Sequence, residues 1–376
     1  MSGIYIHIPY CKTKCSYCNF HFKISQKDKI ELLKCLKKEI VIRKNELNNQ
    51  KIKTIYFGGG TPSILENTEI ESLLNTIFKN YKIINFPEIT IECNPDDINY
   101  EKLLSYKKIG FNRLSVGVQS FRNSDLKFMN RAHDAKLAIQ SIKIAQKVGF
   151  KNISADLIYG LPNQTLKDWK KNITIMFNLD VQHFSAYILT IEKQTKLYHL
   201  LQNKKTKLLS DRKIINQFKL LNSEATKNEY IHYEISNFAK KGFYSKHNTS
   251  YWKQEPYIGI GPSAHSYFGD KRQWNISSNK KYISKINNNR IYFNEETLNL
   301  NNHYNEYIFT SLRTIWGVNN LFVKNRFGEK IEFHFLKEVK KWIIKKYINQ
   351  NLNNYTLTLN GKILADTIVS DLFIVS

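Results

Sequence analysis

The segment IYIHIPYCKTKCSYCNFHF, residues 4–22, contains three of the five cysteines of the chain. Cys11, Cys15 and Cys18 have a C-x3-C-x2-C spacing and follow a β-branched and aromatic run, residues 4–8, that predicts a first strand. Thiolates this close together repel one another and need a positive partner to offset their charge. The segment therefore predicts a metal site on a loop after the first strand.

Zinc and an iron–sulfur cluster are the two metal centres that this spacing allows. A structural zinc ion takes four closed ligands, usually as two separated pairs, so His7 or His21 would have to complete the set. The sequence has no second C-x2-C pair. Three thiolates suit a cubane cluster that leaves one iron open to a small chelating molecule. The spacing favours the cluster.

The composition is that of a folded, strongly basic protein. No run of eighteen apolar residues predicts a transmembrane helix, and the short lead into the first strand leaves no room for a targeting segment. An odd number of cysteines, with Cys35 and Cys93 isolated, fits metal binding in a reducing compartment, so we expect a cytoplasmic protein. The net charge of +25 arises from Lys and Arg spread along the chain, which indicates general composition rather than a nucleic-acid-binding patch.

Strand-like runs are followed by helix-like runs six times in the first part of the chain. The predicted strands are 4–8, 53–57, 88–93, 113–118, 153–158 and 183–189. Repeated β/α units predict a parallel sheet, and six of them predict an open partial (β/α)6 barrel. The functional groups of such a barrel lie at the C-terminal ends of its strands, where Glu92, Gln119 and Asp156 fall.

The pattern changes after residue 235. A glycine-rich, irregular stretch contains His247, Tyr251, Trp252 and His265. Two helices and a β-hairpin with a type I′ turn at Asn360-Gly361 are predicted beyond it. We therefore expect a barrel domain, 1–235, and a smaller α+β domain with a winged-helix-like end, 236–376.

Three other features are weak when taken singly. The glycines at 58–60 allow close approach of a ligand to the backbone, but they also suit a plain tight turn. Glu92, Gln119, Arg131 and Asp156 would together form a polar ring suited to an amino-acid head group and a ribose. His247 is a candidate ligand for a metal or porphyrin, although a single loop histidine more often serves as a hydrogen-bonding residue.

The motifs become specific when they are taken in order. They are YFGGGTPS at 56–63, IECNPDD at 91–97, RLSVGVQSF at 113–121, SADLIYGLP at 154–162, YEISNFAK at 233–240, HNTSYW at 247–252 and YIGIGPSAHSY at 257–267. With the cysteine loop they resemble the radical S-adenosylmethionine (SAM) enzymes, and specifically the oxygen-independent coproporphyrinogen III oxidase group with its heme-chaperone branch. The resemblance covers nearly the whole chain.

This resemblance implies a [4Fe-4S] cluster with three irons held by Cys11, Cys15 and Cys18 and the fourth chelated by SAM. It also implies that one or two SAM molecules contact Tyr5, Tyr17, Gly59, Gly60, Thr61, Glu92, Gln119, Arg131 and Asp156. Reduction of such a cluster can cleave SAM to a 5′-deoxyadenosyl radical.

Three features separate the two branches. The oxidase pattern extends to C-x3-C-x2-C-x-C, whereas Phe20 stands at the place of the fourth cysteine. The oxidase carries an N-terminal extension ahead of its first strand, which we do not find here. The HNxxYW motif, which begins at His247, is typical of the chaperone branch.

The resemblance thus implies a heme chaperone, with His247 in the heme site as a candidate axial ligand. Its partners are expected to be heme and acceptor hemoproteins, respiratory and membrane-bound, and its basic surface would allow a peripheral contact with anionic lipid. The alternative is the oxidase, which decarboxylates two propionates, so the sequence leaves open whether the chain is an enzyme. A winged-helix nucleic-acid binder rests only on charge and the terminal hairpin, and we expect no nucleic-acid partner.

Overall fold

Six parallel strands lie side by side in chain order in the computed structural model, which describes residues 1–375. They are β1 (Ser2–Ile8), β2 (Ile52–Gly59), β3 (Ile83–Cys93), β4 (Arg113–Gln119), β5 (Ile153–Tyr159) and β6 (His183–Ile188). Side chains alternate between the two faces of each strand, so that Ile4 and Ile6 pack into the core beneath the helices while Tyr5 faces the barrel lumen. The predicted α/β fold with an open six-unit barrel is confirmed.

Helices connect these strands and cover the outer face of the sheet. They are α1 (Lys29–Ile42), α2 (Asn67–Asn80), α3 (Tyr100–Ile109), α4 (Asn123–Phe128), α5 (Ala135–Val148), α6 (Leu166–Asn178), α7 (Lys196–Gln202) and α8 (Asp211–Lys227). The helix starts follow from capping chemistry. For example, Thr165 accepts a hydrogen bond from the backbone N–H of Asp168 at the beginning of α6. No helix in the part of the chain that the structure describes is long and apolar enough to cross a membrane.

The sheet continues after β6 on both sides of the barrel strands. The added elements are β7 (Ile231–His232), β8 (Asn237–Ala239), α9 (Lys246–Trp252), β9 (Tyr257–Ile260), β10 (His265–Tyr267), β11 (Lys271–Asn275), α10 (Asn279–Asn287) and β12 (Phe293–Thr297). Strand β9 pairs in parallel with β1, and β8 pairs antiparallel with β6. The complete order is β12-β11-β10-β9-β1-β2-β3-β4-β5-β6-β8-β7.

A second hydrophobic core lies in the C-terminal part of the chain, between Tyr304 and Leu372. Its elements are α11 (Leu300–Leu312), β13 (Val318–Asn319), α12 (Asn320–Phe327), α13 (Glu329–Ile344), β14 (Ile348–Asn351), β15 (Asn354–Leu357), α14 (Leu359–Ile363) and α15 (Ala365–Asp371). This is a helical unit with a three-stranded sheet in the order β13-β15-β14. The division of the chain at residue 235 stays a prediction.

The hairpin predicted at Asn360-Gly361 is wrong. The structure places the hairpin turn at Leu352, where φ is +51°, between β14 and β15. Gly361 lies in α14, and a Cβ atom there would stand 2.0 Å from the carbonyl oxygen of Tyr347. The glycine is therefore required for close packing of two backbone segments and not for a type I′ turn.

Candidate metal and cofactor site

The cysteine loop leaves β1 and is held in place by backbone hydrogen bonds. The N–H of Cys11 donates to the carbonyl of Lys23 at 3.0 Å, and the N–H of Ser16 donates to the carbonyl of Met129 at 3.0 Å. The carbonyl of Ser16 accepts from the N–H of Leu197 at 2.8 Å. The barrel therefore fixes the course of the loop, and all three of its cysteines remain partly exposed.

The chemistry of the three thiols fits a cluster. Burial, with the proximity of Cys18 and Cys15, raises the pKa of Cys11 to about 11, and burial also raises the pKa of Cys18. Added positive charge, such as iron supplies, would favour deprotonation of Cys11 and Cys18. Within residues 1–375, no three His, Cys, Asp or Glu side chains gather as ligands of one ion. A cubane binds each thiolate through a different iron, so its ligands stand further apart.

His7 and His21 form hydrogen bonds with other residues of the protein. The Nδ1 atom of His7 lies 3.2 Å from the hydroxyl of Tyr5, and its Nε2 lies 3.0 Å from the carbonyl oxygen of His21. The Nε2 atom of His21 lies 2.8 Å from Oδ1 of Asn279. These bonds engage both ring nitrogens of His7, which is therefore not free to bind a zinc ion, whereas they engage only one ring nitrogen of His21.

Two of the three sulfur atoms accept hydrogen bonds from a connected set of polar side chains. Thr61 Oγ1 donates to Cys11 Sγ at 3.4 Å, and Arg131 Nη1 donates to Cys15 Sγ at 3.2 Å. Asn94 joins these donors: it accepts from Arg131 Nη2 at 2.6 Å and donates to Thr61 Oγ1 at 3.2 Å. Hydrogen bonds to ligand sulfurs are one determinant of a cluster's reduction potential. The sequence prediction missed Asn94, whose signal was its place directly after the end of β3.

The glycine turn after β2 packs against the cysteine loop. Gly59 has φ of +109°, and its missing Cβ would lie 2.5 Å from His7 Nδ1. A Cβ on Gly60 would lie 2.6 Å from the carbonyl oxygen of Tyr10, to which the N–H of Thr61 donates at 2.7 Å. The glycines thus bring the turn close to the protein's own backbone and place Thr61 beside Cys11.

Two half-buried carboxyl groups face the barrel lumen. Glu92 accepts hydrogen bonds from the hydroxyl of Tyr56 at 2.8 Å and from the N–H of Gly59 at 3.2 Å. Burial, assisted by the charge of Asp156, raises the pKa of Glu92 to about 7. Asp156 accepts from Ser115 Oγ at 3.3 Å, and burial raises the pKa of its carboxyl group as well. A cationic ligand group in this lumen would favour the ionised form of both.

This environment gives Glu92 a measurable effect on stability. Its folded pKa of about 7 exceeds the ordinary value of 4.5, so the native carboxyl group holds a proton that the unfolded chain releases. The free energy of unfolding then falls as pH rises from about 4.5 to about 7, and Glu92 contributes up to about 3 kcal/mol of this fall. We expect Glu92→Gln to remove that contribution in urea unfolding of the apoprotein at about pH 5 and about pH 8.

The matched control is Glu234→Gln. Burial also raises the pKa of Glu234 to about 7, but this residue lies near Thr314, outside the cysteine-loop region. Glu234→Gln should also change how the free energy of unfolding depends on pH, but it should leave the affinity for SAM unchanged. Identical pH slopes for Glu92→Gln and the wild type would contradict the prediction.

The remaining predicted SAM-contacting residues surround the same region. The Tyr5 ring stacks on that of Tyr56 at 6.1 Å, and Tyr17 packs against a small apolar cluster that includes Leu126. Gln119 ends β4 with φ of +66°. The structure thus arranges Tyr5, Tyr17, Gly59, Gly60, Thr61, Glu92, Gln119, Arg131 and Asp156 along the lumen and the C-terminal ends of the strands.

His247 lies apart from this rim, near the N-terminal ends of β1 and β2. Its side chain is 1% exposed; Nδ1 lies 2.8 Å from Thr54 Oγ1 and Nε2 lies 2.7 Å from the hydroxyl of Tyr251. Its ring stacks on that of Tyr56 at 5.0 Å, and burial lowers its pKa to about 3. Both ring nitrogens are engaged, so coordination of an iron by His247 requires helix α9 to move.

Arg113 is a lumen residue that the sequence prediction did not single out. Its side chain is 1% exposed, and its Nε has no hydrogen-bond partner among the described residues. Its charge lowers the pKa of His247 and of His183 after the effect of burial. It therefore supplies positive potential in the lower lumen, opposite the carboxyl groups above it.

Comparison with known proteins shows which family and fold this architecture matches. Residues 5–174 match the model of the radical SAM superfamily. The structure of coproporphyrinogen III oxidase (HemN) from Escherichia coli has the same fold, with a TM-score of 0.85 over 99% of this chain and 90% of that one, at 21% identity. The fold and the cysteine loop define a radical SAM protein.

Full-length relatives define the family further. The heme chaperone HemW of Bacillus subtilis is 34% identical over 98% of both chains. That of Lactococcus lactis is 31% identical over 96% of this chain and 94% of its own. The chain belongs to the HemW family of heme chaperones, which confirms the branch that the motifs predicted.

Proposed function

We propose that this protein binds heme and delivers it to acceptor hemoproteins, using a radical SAM barrel that holds a SAM-bound [4Fe-4S] cluster. The observation that carries the proposal is the end-to-end similarity to relatives named heme chaperone HemW. The barrel alone does not separate the branches, because the oxidase of known structure has it too. Membership of the chaperone family supports the chaperone over the oxidase.

In this proposal Cys11, Cys15 and Cys18 hold the cluster. The predicted SAM-contacting residues described above would bind SAM. The carboxyl groups of Glu92 and Asp156 would favour its cationic groups, and the guanidinium group of Arg131 would favour its carboxylate. When bound, cluster and SAM supply one-electron chemistry. The donors Arg131 and Thr61 orient the thiols of the loop through hydrogen bonds.

Phe20 supports the chaperone over the oxidase. Its side chain is 73% exposed on the cysteine loop, at the place of the oxidase's fourth cysteine. A benzyl group cannot ligate a metal, but an exposed apolar ring beside the site can contact an apolar macrocycle. In the proposed cycle the protein works in the cytoplasm and meets respiratory hemoproteins at the membrane, with its basic surface in contact with anionic lipid.

One experiment separates chaperone from oxidase. Protein with a reconstituted cluster is incubated anaerobically with SAM, a reductant and coproporphyrinogen III, and in parallel is loaded with heme and mixed with an apo-cytochrome. We expect heme uptake and transfer without porphyrinogen turnover. Formation of protoporphyrinogen with release of carbon dioxide would overturn the proposal.

A further inference from the structure

The histidines of the protein differ in whether their rings are free. Seven of the ten are hydrogen-bonded through the ring, namely His7, His21, His133, His183, His232, His247 and His334. Among residues 1–375, the rings of His199, His265 and His303 make no such bond. An iron ligand needs a neutral imidazole with one ring nitrogen that the metal can reach, while its other nitrogen can keep a hydrogen bond. An exposed histidine with neither nitrogen engaged is therefore the most accessible candidate.

His265 stands out among these three by its surroundings. It begins β10, which extends the barrel sheet through β9, and its side chain is exposed. Its neighbour Ser266 points the other way and accepts a hydrogen bond from the buried Arg43 of α1 at 3.1 Å. Since side chains alternate along a strand, His265 faces away from the helices, on the same side of the sheet as Tyr5 and His7.

The neighbours of His265 on this face suit a porphyrin. Trp274 is its cross-strand partner, with the two rings nearly parallel, 24° apart, and their centroids 6.5 Å apart. Tyr267 lies two residues along β10, and Arg272 is the cross-strand partner of Tyr267. Arg272 forms an ion pair with Glu306 at 2.6 Å, and its side chain is 41% exposed. A guanidinium group has five N–H donors, so Arg272 can also donate to a second carboxylate.

We propose that His265 is the iron ligand for the heme cargo, with the edge of the Trp274 ring beside the macrocycle and Arg272 at a propionate. The proposal rests on the proposed heme-chaperone function and names the site. A heme has a planar apolar ring, an iron that takes imidazole and anionic propionates, and this face offers one partner to each. His265 is exposed at the surface of the sheet, whereas both ring nitrogens of His247 are hydrogen-bonded inside the protein.

The test is spectroscopic. The full-length protein is titrated anaerobically with ferrous heme, and the optical spectrum, the resonance Raman iron–histidine stretch and the heme Kd are recorded. We expect His265→Ala to lose the iron–histidine band and to raise the Kd about tenfold or more. Added imidazole should restore the histidine-ligated spectrum. Trp274→Leu should weaken binding but retain the band.

His199→Ala and His303→Ala are matched controls, and both should behave as the wild type. A His265→Ala variant that keeps the iron–histidine band and the wild-type Kd would overturn the ligand assignment alone, since the protein would still bind heme. Wild-type protein that takes up no heme would overturn the proposed function and this site together. Circular dichroism checks that each variant is folded.

Discussion

Cys15→Ser is expected to abolish the iron–sulfur cluster. Serine offers a hard hydroxyl group in place of a thiolate and leaves two of the three soft ligands. It also replaces the sulfur to which Arg131 donates at 3.2 Å with a smaller hydroxyl oxygen, which can still accept from the guanidinium group but gives the cluster no thiolate. We expect iron and sulfide bound per chain after anaerobic reconstitution to fall at least about tenfold, with loss of the EPR signal of the reduced cluster.

SAM binding should fail with the cluster, because in the proposed site the open iron is one of the groups that bind SAM. Equilibrium dialysis with labelled SAM measures this directly. Cys35→Ala is the control: Cys35 is buried on α1 and makes a hydrogen bond to Asn287 Oδ1 at 3.5 Å, outside the cysteine loop. Full iron content in Cys15→Ser, or its loss in Cys35→Ala, would show that the cysteines have been assigned wrongly.

His247→Ala is expected to destabilise the protein strongly, whatever its effect on heme. The substitution leaves the hydroxyl groups of Thr54 and Tyr251 without their buried partner and removes a ring stacked on Tyr56. A lost aromatic volume and two unpaired hydroxyl groups cost about 3–5 kcal/mol of unfolding free energy. Urea unfolding of the apoprotein at neutral pH gives the value. Tyr251→Phe, which loses one hydrogen bond and keeps the ring, should cost about 1–2 kcal/mol.

The pH dependence of the unfolding free energy is a second measure of the burial of His247. Burial lowers the folded pKa of His247 to about 3, against 6.5 ordinarily, so the unfolded chain binds a proton that the native imidazole does not. Wild-type stability therefore declines as pH falls below about 6.5, and His247→Ala lacks this part of the decline. The difference in unfolding free energy between the wild type and His247→Ala should therefore become smaller as the pH falls. A gap under about 1 kcal/mol at neutral pH would contradict the buried placement.

The barrel was predictable because its signals are local. Each of its six strands is a short β-branched run with a helix after it, and the three cysteines lie within eight residues of one another, 11–18. Strand β9 carried no such signal: it is four residues long, and its partner β1 lies at the other end of the chain. The hairpin prediction at Asn360-Gly361 was wrong because glycine is required both in type I′ turns and where two backbone segments pack closely.

The polar site was predictable by residue type but not by contact. Arg131 and Thr61 were expected to meet SAM, while their bonds to sulfur depend on Asn94, which comes from a third strand end. The case of His247 is similar. Tyr251 lies four residues after His247 on the same face of a helix, so this contact could be predicted. The second partner, Thr54, comes from β2, and nothing in the sequence near the motif indicates it.

The pairing of β1 with both β2 and β9 bears on how the protein is made. The ribosome releases β1 and its cysteines first, and β9 emerges only after β2 to β8. His21, at the end of the cysteine loop, finds its partner Asn279 later still. A nascent chain therefore carries its thiols beside an unpaired strand edge, open to oxidation or to the wrong metal. The contact that joins the cysteine loop to α10 therefore forms only after the chain has been synthesised as far as Asn279.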